Sequence, residues 1–199
     1  MADPTDFFRW ILPSATTAPE PTVSAHVIDA AQDFCKRTRC WRSRHSITLD
    51  GTETDIPCTP EDAVLIDIES SAFDGRPLGK TRYSDAEFGD DGMPWAITQR
   101  SPAALQLVPR AQPGKLELSL FLMPAPLADE LPDFLRDLHG RDIANGALGT
   151  LLAIPNQPFS NPALAAHHIS LFERAMDKGF NLSIRGQQRA PARAKSRFM

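Results

Sequence analysis

The sequence predicts an α+β protein in which a small helical bundle, with one N-terminal and two C-terminal helices, carries an inserted antiparallel β-sheet subdomain and an extended C-terminal arm. Apolar residues recur at helical spacing near both ends of the chain and alternate with polar residues in the middle. The last 22 residues contain six basic side chains and no acidic one. A chain of 199 residues is long enough for one domain with such an insertion. We therefore expect four segments, at residues 1–44, 45–124, 125–180 and 181–199.

The first segment predicts one long helix. Thr22 is a suitable N-cap, and apolar side chains follow it at helical spacing as far as Trp41. Acidic residues come before the basic ones, an order that complements the helix dipole at both ends. We interpret the basic cluster as a helix C-terminus beside a core tryptophan, with contact to nucleic acid as the alternative. The cluster consists of Lys36, Arg37, Arg39, Arg42 and Arg44.

The middle segment has the alternating pattern of strands. Val64, Ile66 and Ile68 occupy every second position, as on the inner face of a half-buried strand. Glycine and aspartate residues between positions 74 and 93 predict a long exposed hairpin loop. The clearest strand covers residues 115–123, and the residues on its apolar face are Leu116, Leu118, Leu120 and Leu122. The region as a whole predicts an antiparallel sheet.

Two helices are expected after residue 125. Pro132 lies in the first turn of one of them, where the missing N–H group costs nothing. Gly146 and Gly149 lie inside this helix, and we expect them to allow close contact between helices. Asn161 is a suitable N-cap for the second helix, which we expect to stop at Gly179, because glycine is a common C-terminal residue of helices.

Few residues have the spacing of a catalytic or metal site. Cys35, Cys40 and His45 form a C-x4-C-x4-H pattern, but five helical residues turn a side chain by about 500°, which directs the two sulfur atoms apart. Asp67 and Glu69 would share a strand face, as an acid–base pair does, yet no nucleophile or glycine-rich phosphate loop accompanies them. We expect structural cysteines, no bound metal, no cofactor and no enzymatic activity.

The charge of the chain is divided unevenly. Residues 1–177 hold 15 basic and 25 acidic side chains, whereas residues 178–199 hold six basic ones and no acid. Pro191 disfavours a helix at the C-terminus and predicts an extended arm. Three interpretations stay open: contact with nucleic-acid phosphates, docking on an acidic protein surface, or a solubilising tail. The candidate binding residues of the arm are Arg185, Arg189, Arg193, Lys195, Arg197 and Phe198.

The expected location is intracellular during synthesis. Three cysteines in 199 residues do not suggest a disulfide framework. The N-terminus is acidic where a signal peptide would be basic, and no apolar stretch approaches the roughly 20 residues that cross a bilayer. We expect synthesis in a reducing cytoplasm and no membrane partner.

Several blocks of the sequence resemble the head–tail connector (adaptor or neck) proteins of tailed bacteriophages. Residues 22–42 resemble the first helix of that family. Residues 143–155, followed by Pro158-Phe-Ser-Asn-Pro162 and the helix to Gly179, resemble its later helices. The similarity extends to residues 132–135 and to the leucine-rich strand that ends at Pro124, and it covers most of residues 7–182.

The resemblance implies a structural virion protein without catalytic residues. Such adaptors form a ring, commonly of twelve subunits, beneath the portal, with packaged DNA passing through it without specific contacts. The resemblance further implies that the C-terminal arm docks on the portal protein and that a tail or nozzle protein binds the other side. The expected location is the virion neck, after assembly in the host cytoplasm. Two alternatives stay open: a small DNA-binding protein that uses the basic tail, and another neck or tail-tube component.

Overall fold

The computed structural model describes residues 1–82, 92–110 and 112–185, with side chains in the last helix described as far as residue 180. The fold is α+β, as predicted. It divides into two compact units, of which one joins Met1–Cys40 to the chain from Glu130 onward and the other is Trp41–Asp129. A β unit is thus inserted between the helices of an α unit.

The α unit contains three long helices. A 3-10 turn (Pro4–Phe7) leads into the short helix α1 (Phe8–Ile11), followed by α2 (Glu20–Thr38), α3 (Asp133–Leu151) and α4 (Pro162–Arg185). The helix α3 packs against α2 and α4, and α2 also contacts α4. Fully buried side chains in this unit include Phe7, Ile11, Phe34, Leu131 and Leu135. The predicted helical bundle is therefore present.

The bounds of α2 differ from the prediction. The helix begins at Glu20, with Pro19 as its N-cap, instead of after Thr22. It ends at Thr38 because Arg39 adopts a left-handed conformation with a φ of 52°. The chain leaves the helix there, and Arg42 is the first residue of a strand. The predicted basic helix terminus is therefore wrong for Arg42 and Arg44, and Trp41 packs against the core of the β unit.

Glycines allow the long helices to approach one another. A Cβ atom on Gly146 would lie 2.9 Å from ring atoms of Phe172, and one on Gly149 would lie 2.6 Å from Cγ1 of Ile169, as the expected close packing requires. At Gly179, however, the predicted helix stop is wrong. A Cβ atom there would lie 2.7 Å from Cγ2 of Thr38, so this glycine permits α4 to pass α2, and the helix continues to Arg185. The first five residues of the predicted arm are consequently helical.

The β unit contains two four-stranded sheets instead of the single antiparallel sheet that was predicted. One has the order β1-β8-β3-β4 and the other β2-β7-β6-β5, with only the β5–β6 pair parallel among the pairs of described strands. Leucines of β8 and residues of both sheets form one buried cluster. The strands are β1 (Arg42–Leu49), β2 (Ile56–Pro57), β3 (Ala63–Phe73), β4 (Arg76–Pro77), β5 (Gly79–Lys80), β6 (Ala96–Ser101), β7 (Ala104–Val108) and β8 (Gly114–Pro124).

Bulges explain why the alternation read from the sequence holds in β8 and fails in β3. All four leucines of the predicted β8 face are buried. Within residues 64–68 of β3 the buried residues are Leu65 and Ile68, whereas Val64 and Ile66 are only half-buried. The β3–β8 register shifts between Leu65 and Asp67 and again between Ile68 and Ser70. Each extra residue moves the following side chains to the opposite face of the sheet.

The region predicted as a long exposed hairpin loop is structured in part. Asp74 and Gly75, with φ values of 46° and 78°, form a tight turn that pairs β4 with β3. The strand β5 then joins the second sheet beside β6. Residues 83–91 of the predicted loop lie outside the described residues.

Candidate interaction surface

A metal site requires several ligands in one place, and a membrane span requires a long apolar helix. In residues 1–82, 92–110 and 112–185, no three histidine, cysteine, aspartate or glutamate side chains gather closely enough to hold a metal ion. Over the same ranges, none of the helices has both the length and the hydropathy of a membrane span.

The two cysteines that the sequence appeared to direct apart are in contact, with 3.9 Å between their sulfur atoms. The prediction was wrong because it continued α2 past Thr38. The left-handed Arg39 donates its N–H to the carbonyl oxygen of Cys35 at 2.8 Å, and the reversed chain brings Cys40 back onto Cys35. Contact with Cys40 and then burial raise the pKa of the Cys35 thiol well above its usual range, so this thiol stays protonated at neutral pH.

His45, the third residue of the candidate metal pattern, lies on β1. Its Nε2 atom is 2.9 Å from the hydroxyl of Ser43, and the two side chains share a hydrogen bond. This contact gives the histidine a partner within its own strand.

The carboxylates of Asp67 and Glu69 form separate ion pairs. Asp67 bonds to Lys80 at 2.9 Å. Glu69 accepts a hydrogen bond of 2.7 Å from the hydroxyl of Ser119 and lies 3.2 Å from Nε of Arg42. The β3 bulges separate the two acids, and each is held by its own base. These contacts favour a structural role over the acid–base pair considered from the sequence.

An open polar groove of about 640 Å³ runs over the first sheet beside these ion pairs. Its lining comes from the three strands β1, β3 and β8. Polar side chains dominate, including Arg44, Ser46, Glu69, Glu117 and Ser119. Such a lining suits a polar surface contact better than an apolar ligand, because ligand pockets are mostly apolar and concave.

The strand β1 forms a long open edge of the first sheet. It pairs with β8 from Arg42↔Phe121 to Leu49↔Gly114 without a bulge, and no other described strand pairs with it. The carbonyl of Trp41 accepts the N–H of Leu122 at 2.9 Å, which sets the alternation of the ladder. Odd-numbered residues therefore bond to β8, and the backbone groups of even-numbered residues point away from the sheet. The even-numbered residues are Arg42, Arg44, Ser46 and Thr48, and all four are exposed.

A comparison with protein-family models gives a match over most of the chain. The model described as SU10 adaptor protein matches residues 5–195. The chain belongs to the SU10 adaptor family. No curated protein shows significant similarity to it. The resemblance to phage head–tail adaptors is thus confirmed, and this protein is a structural component of the virion at the head–tail junction that interacts with other head and tail proteins.

The predicted binding residues fall near the end of the given sequence. Arg185 is the last residue of α4. The other five lie outside the described residues, and their role as partner-binding residues stays a prediction. They are Arg189, Arg193, Lys195, Arg197 and Phe198.

The open edge at β1 was not predicted from the sequence, because Arg42 and Arg44 were assigned to a helix. The alternation of polar and less polar residues in Arg42-Ser-Arg-His-Ser-Ile-Thr-Leu49 was the available signal.

Proposed function

We propose that this member of the adaptor family forms a ring of twelve copies between portal and tail, around the channel through which packaged DNA passes. The C-terminal arm docks on the portal protein, and a tail or nozzle protein binds the opposite side of the ring. The observation that carries the proposal is the family match, which extends over residues 5–195 and so includes both units and most of the arm. The role is architectural and requires no cofactor or catalysis.

Charge and length make the arm suitable for docking. Residues 186–199 contain four bases and no acid. Fourteen extended residues reach up to about 50 Å, enough to lie across a neighbouring protein. Arginine pairs bidentately with carboxylates, so an acidic groove on the portal protein is the expected counterpart. The helix α4 supplies a fixed starting point for the arm, because it is continuous to Arg185.

The remainder of the chain favours passage of DNA over binding. Residues 41–129 contain 14 acidic and eight basic side chains. Phosphates are repelled by a negative surface, which keeps DNA from sticking if this unit faces the channel. Contact with DNA is therefore non-specific and secondary to protein contacts.

Electron microscopy of purified portal particles mixed with the adaptor tests the proposal. We expect a ring of twelve copies on each portal particle, and no ring after deletion of residues 186–199. A variant with the four arm bases replaced by glutamine keeps the length of the arm and removes its charge. A variant with the arm sequence scrambled keeps both the length and the charge. Portal particles without any added ring would contradict the proposal.

A binding assay with duplex DNA decides the alternative. A small DNA-binding protein would bind duplex with an affinity that falls steeply with salt and disappears with the arm. The salt concentration for the test is 0.5 M, on the order of five times the ionic strength at which the Debye length is 10 Å. Portal binding that persists at this concentration, together with no binding to duplex DNA, would reject this alternative.

A further inference from the structure

We infer that the open edge of β1 is a contact surface between neighbouring copies in the ring, and that the acidic surface of the next copy's inserted unit occupies it. The inference rests on the proposed ring and adds the strand that makes the contact. Its first support is the backbone. The even-numbered residues of β1 present four N–H and four C=O groups away from β8, as the antiparallel alternation requires. Backbone groups at a sheet edge are a template for pairing with another chain.

The length of β1 distinguishes it from the other edges. Its eight residues contain no proline, and its register with β8 has no shift. The remaining edge strands of the two described sheets, β2, β4 and β5, have two residues each. Short strands, prolines and bulges are the usual means by which proteins prevent pairing at edges. These means protect the other edges and are absent from β1.

The charges of β1 indicate which surface of another copy it contacts. Arg42 and Arg44 are the two exposed bases of β1. They belong to the inserted unit, residues 41–129, which contains six other bases and 14 acids. Arg42 is held by Glu69 in its own copy. Arg44 is exposed and forms no hydrogen bond or ion pair with the described part of the chain. A basic edge on an acidic unit is complementary to the same unit of another copy.

The type of contact also agrees with a ring. Two copies that paired β1 with β1 about a two-fold axis would use up this edge and form only a dimer, whereas a basic edge against an acidic surface joins two different surfaces. A contact between two different surfaces repeats from copy to copy, and it forms a ring when the rotation between copies closes. The bases of β1 could instead act only as protection of the edge, since charged side chains also discourage pairing. The variants below separate these two roles.

Ser46→Pro tests the backbone contact. The N–H of Ser46 points away from β8, so proline removes an outward donor and leaves the β1–β8 ladder intact. Ser46→Ala is the matched control, because it removes the hydroxyl and keeps the N–H group. Electron microscopy counts the complete rings on portal particles. We expect Ser46→Pro to reduce complete rings at least tenfold and Ser46→Ala to leave them unchanged.

Arg44→Glu tests the charge and decides the outcome if the proline variant does not fold. Its matched control is Arg76→Glu, the same change on β4 at the opposite edge of the sheet. We expect complete rings to be lost with Arg44→Glu and retained with Arg76→Glu. Complete rings from folded Ser46→Pro and from Arg44→Glu would overturn the inference and leave the proposed function standing. No ring from the unchanged chain would overturn both. If the bases only protect the edge, Arg44→Glu leaves complete rings unchanged, because a charged glutamate also discourages pairing.

Discussion

The sulfur atoms of Cys35 and Cys40 lie 3.9 Å apart at the point where α2 ends. The contact depends on one backbone conformation, the left-handed Arg39 between them, which folds Cys40 back toward the last turn of the helix. A hydrophobic contact between the fourth-last helical residue and the residue after the left-handed one is common in such caps. Here both positions are cysteines, so the same contact places two thiols next to each other.

We predict that a mild oxidant such as diamide converts this pair into an intrachain disulfide. The two thiols lose their hydrogen atoms to the oxidant, and the sulfur atoms approach to about 2.05 Å. Mass spectrometry should detect the loss of two hydrogen atoms and a peptide that contains both residues. Cys35→Ser should abolish the reaction, whereas Cys58→Ser should not affect it. A chain that stays reduced under these conditions would contradict the prediction.

The third cysteine should react with alkylating reagents only at high pH. Burial raises the pKa of the Cys58 thiol to about 11, and its Sγ atom donates to the carbonyl oxygen of Ala103 at 3.3 Å. The thiolate is the reactive form, and a raised pKa keeps the thiol protonated throughout the neutral range. In a Cys35→Ser/Cys40→Ser background, the rate with iodoacetamide should rise about tenfold per pH unit until the pH approaches 11. A plateau near pH 9, as in the urea-unfolded chain, would exclude the raised pKa.

Replacement of Gly146 should destabilise the helical unit. An alanine Cβ at this position would lie 2.9 Å from the ring of Phe172 and 3.0 Å from Cβ of Ala30. Overpacking of this kind costs about 1–3 kcal/mol, and the better helix propensity of alanine returns at most about 1 kcal/mol. The free energy of unfolding in urea should therefore fall. The exposed Ala166→Gly on α4, beyond the first turn of the helix, measures the propensity contribution alone. An unchanged or increased stability of Gly146→Ala would show that the two helices can separate at no cost.

The cap of α4 should contribute measurably to stability. The side-chain oxygen of Asn161 accepts the N–H of Leu164 at 3.1 Å, as the sequence predicted. Asn161→Ala should lower the free energy of unfolding by about 1 kcal/mol, because the N–H group loses its acceptor. Asn161→Asp keeps an acceptor and should retain the stability. Equal losses in both variants would indicate a role for Asn161 other than capping.

Local signals in the sequence identified most elements of the fold. The leucine face of β8 was predictable because a strand without bulges keeps strict alternation, and the start of α4 was predictable because Asn161-Pro162 combines a cap with a first-turn proline. Both features depend only on residues that are neighbours in the chain.

The incorrect predictions concern features that depend on tertiary structure. A left-handed residue at a helix end is usually glycine or asparagine, so Arg39 gave no sign that α2 ends at Thr38. Gly179 resembled a helix stop, but its role is to admit Thr38 of α2, a partner that the sequence does not reveal. The open edge of β1 follows from strand order, which depends on pairing between distant segments.

The position of the insertion sets an order of folding. The helix α2 ends at Thr38, whereas α3, against which it packs, begins only at Asp133. A ribosome therefore releases the whole β unit before α2 meets its partner, and the closure of so long a loop slows formation of the bundle. The β unit has a buried core drawn from its own two sheets. We therefore expect the inserted unit of the nascent chain to fold before the preceding helix has contacted the rest of its bundle.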